Sequence, residues 1–387
     1  MSASRWVLIT GEYPPEPGGV SDYSRLVARG LAAAGDEVHV WTPARRSSQA
    51  VPRDPGVTLH SLPGKFGRRD LEALDRGLRR LGKPYRLLVQ YVPHAFGCKG
   101  MNVPFCWWLS RRPEPVWVMF HEVVFPLSTR QPVSHNFLGV VTRLMAHLVA
   151  RKAERIFVSI PAWEAFLPKC SKRRVEWLPV PSNIATTVSA AEIGAVRGRF
   201  AASDEVILGH FGTYGSHVGS LLARILPALV SADSRRRALL IGKGSDVFGA
   251  GLLLENPALR GRIAATGPLD HERTPTHLAA CDCLVQPYPD GVSSRRGSLM
   301  AGLALGLPIV TNAGPLTDAV WRESDAVALA ASPAPSDFMD AVEHLLAEPR
   351  GMEELGRRAA EMYQKRFALV RTIETLRSGL GDNEVAA

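Results

Sequence analysis

The chain has 387 residues, more than the roughly 250 to 300 at which a single hydrophobic core usually stops growing, and this length predicts two domains. Its 46% hydrophobic and 21% charged residues are typical of a water-soluble globular protein, and the longest apolar run, 299–310, falls well short of the ~18 residues of a spanning helix. The N-terminus lacks the basic and apolar segments of a secretory signal, so we expect a cytoplasmic protein.

The net charge of +9 is unevenly distributed along the chain. Residues 1–180 contain 26 Lys and Arg against 14 Asp and Glu, a balance of +12, whereas the remaining residues contain 20 against 23, a balance of −3. A basic first half predicts an anionic partner, either a phosphorylated acceptor or an anionic membrane surface. The alternative is a basic solvated face without a partner. Nucleic acid is not expected, because no stacking aromatic motif accompanies the basic residues.

Cysteine and histidine usage excludes two further classes of protein. Five cysteines in so long a chain do not form a disulfide framework, and eleven scattered histidines include no metal-binding cluster. We therefore expect reduced, mostly buried thiols and no metal. The cysteines are Cys98, Cys106, Cys170, Cys281 and Cys283.

Short apolar runs rich in β-branched residues alternate with helical patterns, which predicts parallel sheets of β-α units. Six strands are predicted in the first half, at residues 6–10, 37–42, 57–62, 86–92, 116–121 and 155–160. A helix follows the first strand, because apolar residues recur three or four positions apart from Val20 to Ala34 and Gly35 stands at its end.

A tract rich in Pro, Ser, Thr and Ala interrupts the periodicity and predicts a hinge near residues 178–200. A second series of five strands follows it, at residues 206–211, 238–241, 262–266, 283–287 and 308–311. Residues 352–380 are strongly helical. We therefore predict an α/β protein with Rossmann-like domains at 1–180 and 181–365, and a C-terminal helix at 366–387 that packs back toward the first domain.

The loop after the first strand, "TGEYPPEPGGVSDY", offers an anion site. Gly18 and Gly19 leave bare backbone where the first helix begins, and exposed N–H groups at the positive end of a helix suit phosphate. The loop does not read G-x-G-x-x-G, so no dinucleotide fingerprint is met. A tight turn without a ligand is the alternative.

The stretch "EYPPEPGGVSDYSRLVARGLAAAGDEVHVWT" resembles the opening of the family-4 retaining glycosyltransferases. The segments "FHE", "VPSN", "HFGTYG", "LIGKG", "ATGPLDHERTPTHLAACDCLVQPY" and "GLPIVTNAG" follow in that family's order over nearly the whole chain. The resemblance implies a GT-B fold, with the acceptor mainly on the first domain and a nucleotide sugar on the second. It also implies sugar transfer to a hydroxyl with retention, without a cofactor or a required metal.

The resemblance places residues of this chain at several parts of the donor site. His121, which ends a predicted strand, would line the sugar site, with Glu122 as its orienting partner. Gly212, Thr213 and Tyr214 stand where related enzymes carry a glycine and an arginine that hold the diphosphate. The segment with Gly267 and Leu269 would read the base through its backbone, and Lys243 would contact phosphate or lie in solvent.

The stretch "PYPDGVSSRRGSLMAGLALGLP" departs from the family's pattern. The family carries two glutamates here that contact the sugar and the ribose, and this chain has Ser293 and Ala301 at those positions. What remains is an anion cradle, in which Arg295 and Arg296 match phosphate oxygens ahead of an apolar helix. Hydroxyl and backbone groups that would complete the cradle belong to Ser293, Ser294, Gly297 and Ser298. The alternative is that one or both arginines are merely solvated.

These observations predict a glycosyltransferase whose catalytic candidates are His121, Glu122 and Arg295. Two rival functions stay open: a degenerate protein that binds a nucleotide sugar without turnover, and a sugar-nucleotide epimerase on the same fold. The acceptor is expected to be a glycan, a lipid-linked molecule or a small molecule, and to be either anionic or a glycan. Trp107 and Trp108, near two arginines, suggest a peripheral contact with the anionic inner face of the membrane. A core helix with a basic edge is the alternative there.

Overall fold

The computed structural model describes residues 3–44, 53–168 and 174–378. Two compact units make up the chain, one of Met1–Val180 with Leu369–Ala387 and the other of Pro181–Ala368. Cys170 and the end of the predicted C-terminal helix, 379–387, lie outside the described residues.

The first unit is built on a seven-stranded parallel sheet with the order β3-β2-β1-β4-β5-β6-β7. Its strands are β1 (Arg5–Thr10), β2 (Glu37–Thr42), β3 (Val57–Ser61), β4 (Arg86–Tyr91), β5 (Val116–Phe120), β6 (Arg155–Val158) and β7 (Val175–Trp177). Its helices are α1 (Gly19–Ala33), α2 (Arg68–Leu81), α3 (Val103–Ser110), α4 (Val133–Lys152) and α13 (Leu369–Ser378).

Helices cover both faces of this sheet, because successive residues of each strand point to opposite sides. In β1, Val7 and Ile9 join a core cluster with side chains of α2, α3 and α4, whereas Trp6 and Leu8 join a second cluster with α1 and α13. An ion pair between Arg377 and Asp36, 3.2 Å apart, adds to the packing of α13 on this unit.

The second unit has a six-stranded parallel sheet with the order β10-β9-β8-β11-β12-β13. Its strands are β8 (Val206–Phe211), β9 (Arg236–Ile241), β10 (Ile263–Ala265), β11 (Cys283–Gln286), β12 (Ile309–Asn312) and β13 (Ala328–Ala330). Its helices are α5 (Ala190–Arg197), α6 (Ser216–Ala232), α7 (Ser245–Glu255), α8 (Arg273–Ala279), α9 (Gly297–Ala304), α10 (Ala319–Glu323), α11 (Pro335–Ala347) and α12 (Pro349–Met362).

The α/β prediction is confirmed, and all eleven predicted strands are present. Strands β7 and β13 were not predicted; each has only three residues and lies at a sheet edge. The segment 352–380, predicted to be strongly helical, is helical over nearly all of its described residues and contains two α-helices. A π-turn at Tyr363–Phe367 and the extended ψ of Ala368 separate α12 from α13.

Each sheet has one point at which the strand order reverses, between β1 and β4 in the first unit and between β8 and β11 in the second. Loops that leave neighbouring strands there diverge, so the crevice between them is the usual ligand site of such a sheet. The loops predicted to carry chemistry follow β1, β8 and β11, and they therefore lie at these two crevices.

Candidate active site

In the second unit, the loop after β8 contributes mainly backbone to the crevice. Tyr214 stacks on Phe248 with ring centroids 5.2 Å apart, and its hydroxyl lies 3.1 Å from the carbonyl oxygen of His210. The tyrosine hydroxyl is therefore engaged inside the unit. Gly212 is partly exposed, but its N–H donates to the carbonyl oxygen of Ile241 at 3.2 Å, whereas Thr213 is exposed.

The neighbouring loop after β9 comes so close to Gly212 that only glycine fits. Gly242 has a φ of 111°, and a Cβ added there would lie 2.5 Å from the carbonyl oxygen of Gly212. Lys243, the next residue, is exposed. Gly212 and Gly242 thus bring the loop after β8 close to Lys243, the lysine predicted to contact phosphate, at the carboxyl ends of the strands.

The segment predicted to read the base is tied to the protein through its backbone. The N–H of Gly267 donates to the hydroxyl of Ser245 at 2.9 Å, and the carbonyl of Gly267 accepts from the hydroxyl of Thr266 at 2.7 Å. Leu269 is half-buried. Because the N–H of Gly267 is already donated, a base would have to use the second lone pair of its carbonyl or a neighbouring group.

The buried residue Asp318 accepts a hydrogen bond from the loop after β11. The sequence did not indicate this residue. The carboxylate of this buried residue accepts the N–H of Ser294 at 2.7 Å and the indole N–H of Trp321 at 3.3 Å. Burial raises the pKa of Asp318. Ser293 and Ser294 are themselves fully buried, so they shape the loop from inside the unit.

Arg295 and Arg296 share one carboxylate. Their guanidinium nitrogens lie 3.6 Å and 3.5 Å from the same oxygen of Asp290, whose side chain is 51% exposed. Both distances exceed that of a normal charge-assisted hydrogen bond, and half-exposed pairs of this kind contribute little to stability. Asp290 is thus an acidic neighbour of both guanidinium groups, and the buried carboxylate of Asp318 also attracts Arg295.

Tyr288 fixes one of these arginines against the start of α9. The guanidinium of Arg296 lies 4.6 Å from the centre of the Tyr288 ring, a cation–π contact, and the Tyr288 hydroxyl lies 2.9 Å from the hydroxyl of Ser298. Burial raises the pKa of Tyr288 to about 12, so this side chain stays neutral. Gly297, the first residue of α9, is exposed beside them.

In the first unit, a carboxylate of the protein itself lies at the start of α1, where the sequence predicted a bound anion. The carboxylate of Glu12 accepts the N–H of Ser21 at 3.1 Å, and a Cβ added to Gly18 would collide with that carboxylate. A Cβ added to Gly19 would meet no atom within 4 Å. Burial raises the pKa of Glu12. An external phosphate at Gly18 and Gly19 would have to replace Glu12.

His121 follows β5 and is buried against Tyr23, with ring centroids 4.7 Å apart. Burial lowers the pKa of His121 to about 3, so the imidazole is neutral near pH 7. Its Nε2 lies 2.9 Å from the side-chain oxygen of Gln90 at the end of β4. Gln90 therefore orients the ring, a role that we expected of Glu122. Glu122 instead lies 3.5 Å from Nδ1 of His94.

The glycosyl transferase 4-like domain matches residues 18–183, and the glycosyl transferases group 1 domain matches residues 205–348. The two matches cover most of both units and the loops described above. The chain is a glycosyltransferase. No curated protein sequence is significantly similar to it.

Solved structures show that this glycosyltransferase has the GT-B fold. Sucrose-phosphate synthase from Thermosynechococcus elongatus superposes with a TM-score of 0.71 at 17% identity, covering 99% of this chain and 100% of that chain. A glycosyltransferase from Rickettsia africae gives 0.74 at 10% identity, covering 99% and 100%. HepE from Anabaena, in complex with UDP and glucose, gives 0.67 at 15% identity, covering 98% and 100%.

The two positions at which the resemblance implies glutamates are internal in this glycosyltransferase. Ser293 and Ala301 have no exposed surface, and Ala301 lies on the buried side of α9. Among the residues that the structure describes, no group of three or more His, Cys, Asp and Glu side chains is arranged to hold a metal ion. In the same residues, no helix is long and apolar enough to cross a membrane.

Four polar residues near the crevices were missed by the sequence reasoning: Glu12, Gln90, His94 and Asp318. Gln90 and Asp318 come close to a predicted residue only through the fold, whereas Glu12 lies in the same loop as Gly18. Asp318 lies 24 positions from Ser294, and Gln90 lies 31 positions from His121. The position of Gln90 at the end of a strand was the one available signal, and it is the same signal that singled out His121.

Proposed function

We propose that this glycosyltransferase moves a sugar from a nucleotide diphosphate donor to an acceptor hydroxyl, with retention of the anomeric configuration. The observation that carries the proposal is the loop after β11. It places Arg295 and Arg296 ahead of the α9 N-terminus and beside a strand-order reversal, with one oxygen of Asp290 lying 3.6 Å and 3.5 Å from their guanidinium groups. Planar guanidinium groups and a helix start both suit a diphosphate.

A diphosphate bound to this loop would take the place of Asp290. Its oxygens offer the two arginines more negative charge than one half-exposed carboxylate does. The same contacts would strengthen as the sugar bond breaks, because negative charge then develops on the leaving diphosphate. Arg295 and Arg296 would thereby lower the barrier as well as bind the donor, and Gly297 and Ser298 would complete the cradle at the helix start.

The base and the sugar are proposed from the comparisons. HepE has been crystallised with UDP and with UDP-glucose, and a trehalose-phosphate synthase with the same fold is described as UDP-forming. UDP-sugars are therefore the first donors to test. Retention follows from the resemblance to the family-4 enzymes, as does transfer without a metal or another cofactor.

In the first unit, we propose that three side chains recognise sugar hydroxyls: Glu12, His94 and Glu122. Glu12 and Glu122 follow β1 and β5 at the same edge of the sheet, and His94 lies between them in the chain after β4. Carboxylate and imidazole groups of this kind accept and donate hydrogen bonds to sugar hydroxyls. His121, neutral and fixed by Gln90, is proposed to position the sugar, as the resemblance implies.

Binding of UDP to Arg295→Gln and Arg296→Gln variants tests the proposal. A charge-assisted hydrogen bond contributes about 1.5–3 kcal/mol, so each variant should bind UDP roughly ten- to a hundredfold more weakly in calorimetry. Arg260→Gln is the matched control. This exposed arginine precedes β10 and therefore lies near the amino ends of the strands, whereas the tested loop lies at their carboxyl ends. UDP affinity that is unchanged in both loop variants would refute the phosphate assignment.

Turnover distinguishes the proposed transfer from the two rivals. The wild-type chain should release UDP from a UDP-sugar in the presence of an acceptor, and NMR of the product should show the donor's anomeric configuration. A protein that only binds would release no UDP above background. An epimerase would instead change the sugar configuration. Addition of EDTA should leave the rate unchanged if no metal is required.

A further inference from the structure

Helix α4 exposes an apolar stripe that the proposed transfer reaction does not use. Val133, Phe137, Val140 and Leu144 follow one another at spacings of four, three and four residues and therefore lie along one side of the helix. Their exposed fractions are 85%, 61%, 57% and 50%. We call these four residues the α4 face. The opposite side of α4 is anchored in the core through Met145, Ala146 and Val149.

Further apolar side chains extend this surface. Leu127 is 47% exposed and packs over the helix, since a Cβ added to Gly139 would lie 2.5 Å from its Cδ2 atom. Phe166 is 42% exposed and lies beside Arg143, with the guanidinium 5.9 Å from the ring centre. Contiguous exposed apolar surface is uncommon on a soluble monomer unless it binds something.

The chain segment that carries the α4 face has charge of one sign, and exposed Glu164 lies two residues from Phe166. Residues 123–153 contain no Asp or Glu, and they contain Arg130, Arg143, Arg151 and Lys152. The stripe itself continues from Leu144 to His147 and Arg151, at the same helical spacing. An apolar helix side with basic surroundings is the pattern of a helix that lies in the interface of an anionic membrane.

We propose that the α4 face docks this protein on a membrane surface that carries anionic lipid headgroups. Phe137, Val140 and Leu144 would enter the boundary between headgroups and acyl chains, and Arg130 and Arg143 would lie at headgroup level. A second copy of the chain is the competing occupant. It is disfavoured because two acid-free basic segments would face each other and repel.

The structure also revises where the membrane contact lies. Trp108, which the sequence suggested as an interfacial residue, is half-buried, and its indole donates to Asp75 at 3.1 Å. Trp107 is 50% exposed and carries the Arg111 guanidinium 3.7 Å from its ring centre, on α3, which packs against α4. The contact therefore centres on α4, with Trp107 on the adjoining helix α3 and Arg111 directly after that helix.

Flotation of the full chain with phosphatidylcholine vesicles, with and without phosphatidylglycerol, tests this docking. We expect the wild-type chain to float with the anionic vesicles and to be released by high salt. The double variant Phe137→Ser, Val140→Ser should lower the partition coefficient at least about tenfold, because two apolar side chains are lost from the interface. Arg111→Gln with Arg130→Gln should lower it roughly fivefold per cation on anionic vesicles.

Val247→Ser with Leu254→Ser is the matched control, because both residues are 76% exposed on α7 of the second unit. This pair should float like the wild type. The proposal is overturned if the wild-type chain does not float with anionic vesicles, or if the Phe137, Val140 variant floats as well as the control. It is equally overturned if the wild-type chain is a dimer that the same variant dissociates.

This docking stands independently of the proposed reaction, because flotation measures binding and not turnover. Failure of sugar transfer would leave the flotation result intact. A flotation failure would likewise leave the UDP affinity of the Arg295 and Arg296 variants unaffected. If both hold, the further consequence, which rests on the proposed function, is that lipid-linked hydroxyls are the favoured acceptors.

Discussion

Asp290 competes with the proposed donor for Arg295 and Arg296, and its neutralisation should tighten nucleotide binding. One oxygen of Asp290 lies 3.5 to 3.6 Å from a guanidinium nitrogen of each arginine. A bound diphosphate would contact the same two guanidinium groups and would be repelled by the nearby carboxylate. Asp290→Asn keeps the side-chain shape and removes that repulsion.

Coulomb's law sets the magnitude of this effect. Two unit charges about 6 Å apart repel by ~0.7 kcal/mol in water and by ~2.8 kcal/mol at an effective dielectric constant near 20. Because the Asp290 side chain is 51% exposed, the lower part of that range applies. A gain of about 0.7–1.4 kcal/mol corresponds to nucleotide binding roughly three- to tenfold tighter in Asp290→Asn.

Isothermal titration calorimetry with UDP at low and high salt measures this gain. Asp204→Asn is the matched control, because this exposed aspartate precedes β8 at the opposite edge of the same sheet. The difference between the Asp290 variant and the wild type should shrink at high salt, since exposed charges are screened. Affinity in Asp290→Asn that equals the control, or falls below it, would refute the competition between Asp290 and the diphosphate.

Two further predictions concern buried groups near the crevices. Asp318→Ala should lower the free energy of unfolding by about 2–5 kcal/mol, because the Ser294 N–H and the Trp321 indole lose their acceptor. Asp318→Asn should recover part of that loss in chemical denaturation, and a loss below about 0.5 kcal/mol in the alanine variant would contradict the role of Asp318. Burial lowers the pKa of His121 to about 3 and that of His210 to about 4, below the value near 6.5 in the unfolded chain. Below about pH 6.5 the unfolded chain therefore binds more protons at these two histidines than the folded chain does. Each histidine should therefore cost about 1.4 kcal/mol of stability per pH unit between roughly pH 6 and pH 4. In chemical denaturation, the free energy of unfolding of the first unit should depend less steeply on pH in His121→Gln than in the wild type. The exposed-site variant His135→Gln should keep the wild-type slope. Equal slopes in the two variants would contradict a neutral buried His121.

Much of the fold follows from local sequence, because buried parallel strands need continuous apolar runs and the intervening helices need apolar residues at a spacing of three or four. The first strand and helix illustrate this: residues 6–10 and the pattern from Val20 to Ala34 appear as β1 and α1. Strands β7 and β13 show the limit. Short edge strands are held by pairing with a neighbour that is distant in sequence, and a local pattern does not record that pairing.

In the candidate site, too, some features were indicated by the sequence and others only by the tertiary structure. The sequence alone indicated Arg295 and Arg296 at a helix start and His121 at a strand end, because residue type and position along an element are local properties. Only the tertiary structure placed Asp290 between the arginines, Asp318 beneath the loop, Gln90 on His121 and Glu12 in the cradle of Gly18. The contacts of Asp318 and Gln90 join residues that follow or end different strands, and strand order is decided by how whole elements pack. Asp290 and Glu12 meet their partners within a single loop, whose path depends on the surrounding structure. Helix α4 is the clearest case: its sequence is apolar on both sides, and only packing decided which side is buried and which is exposed.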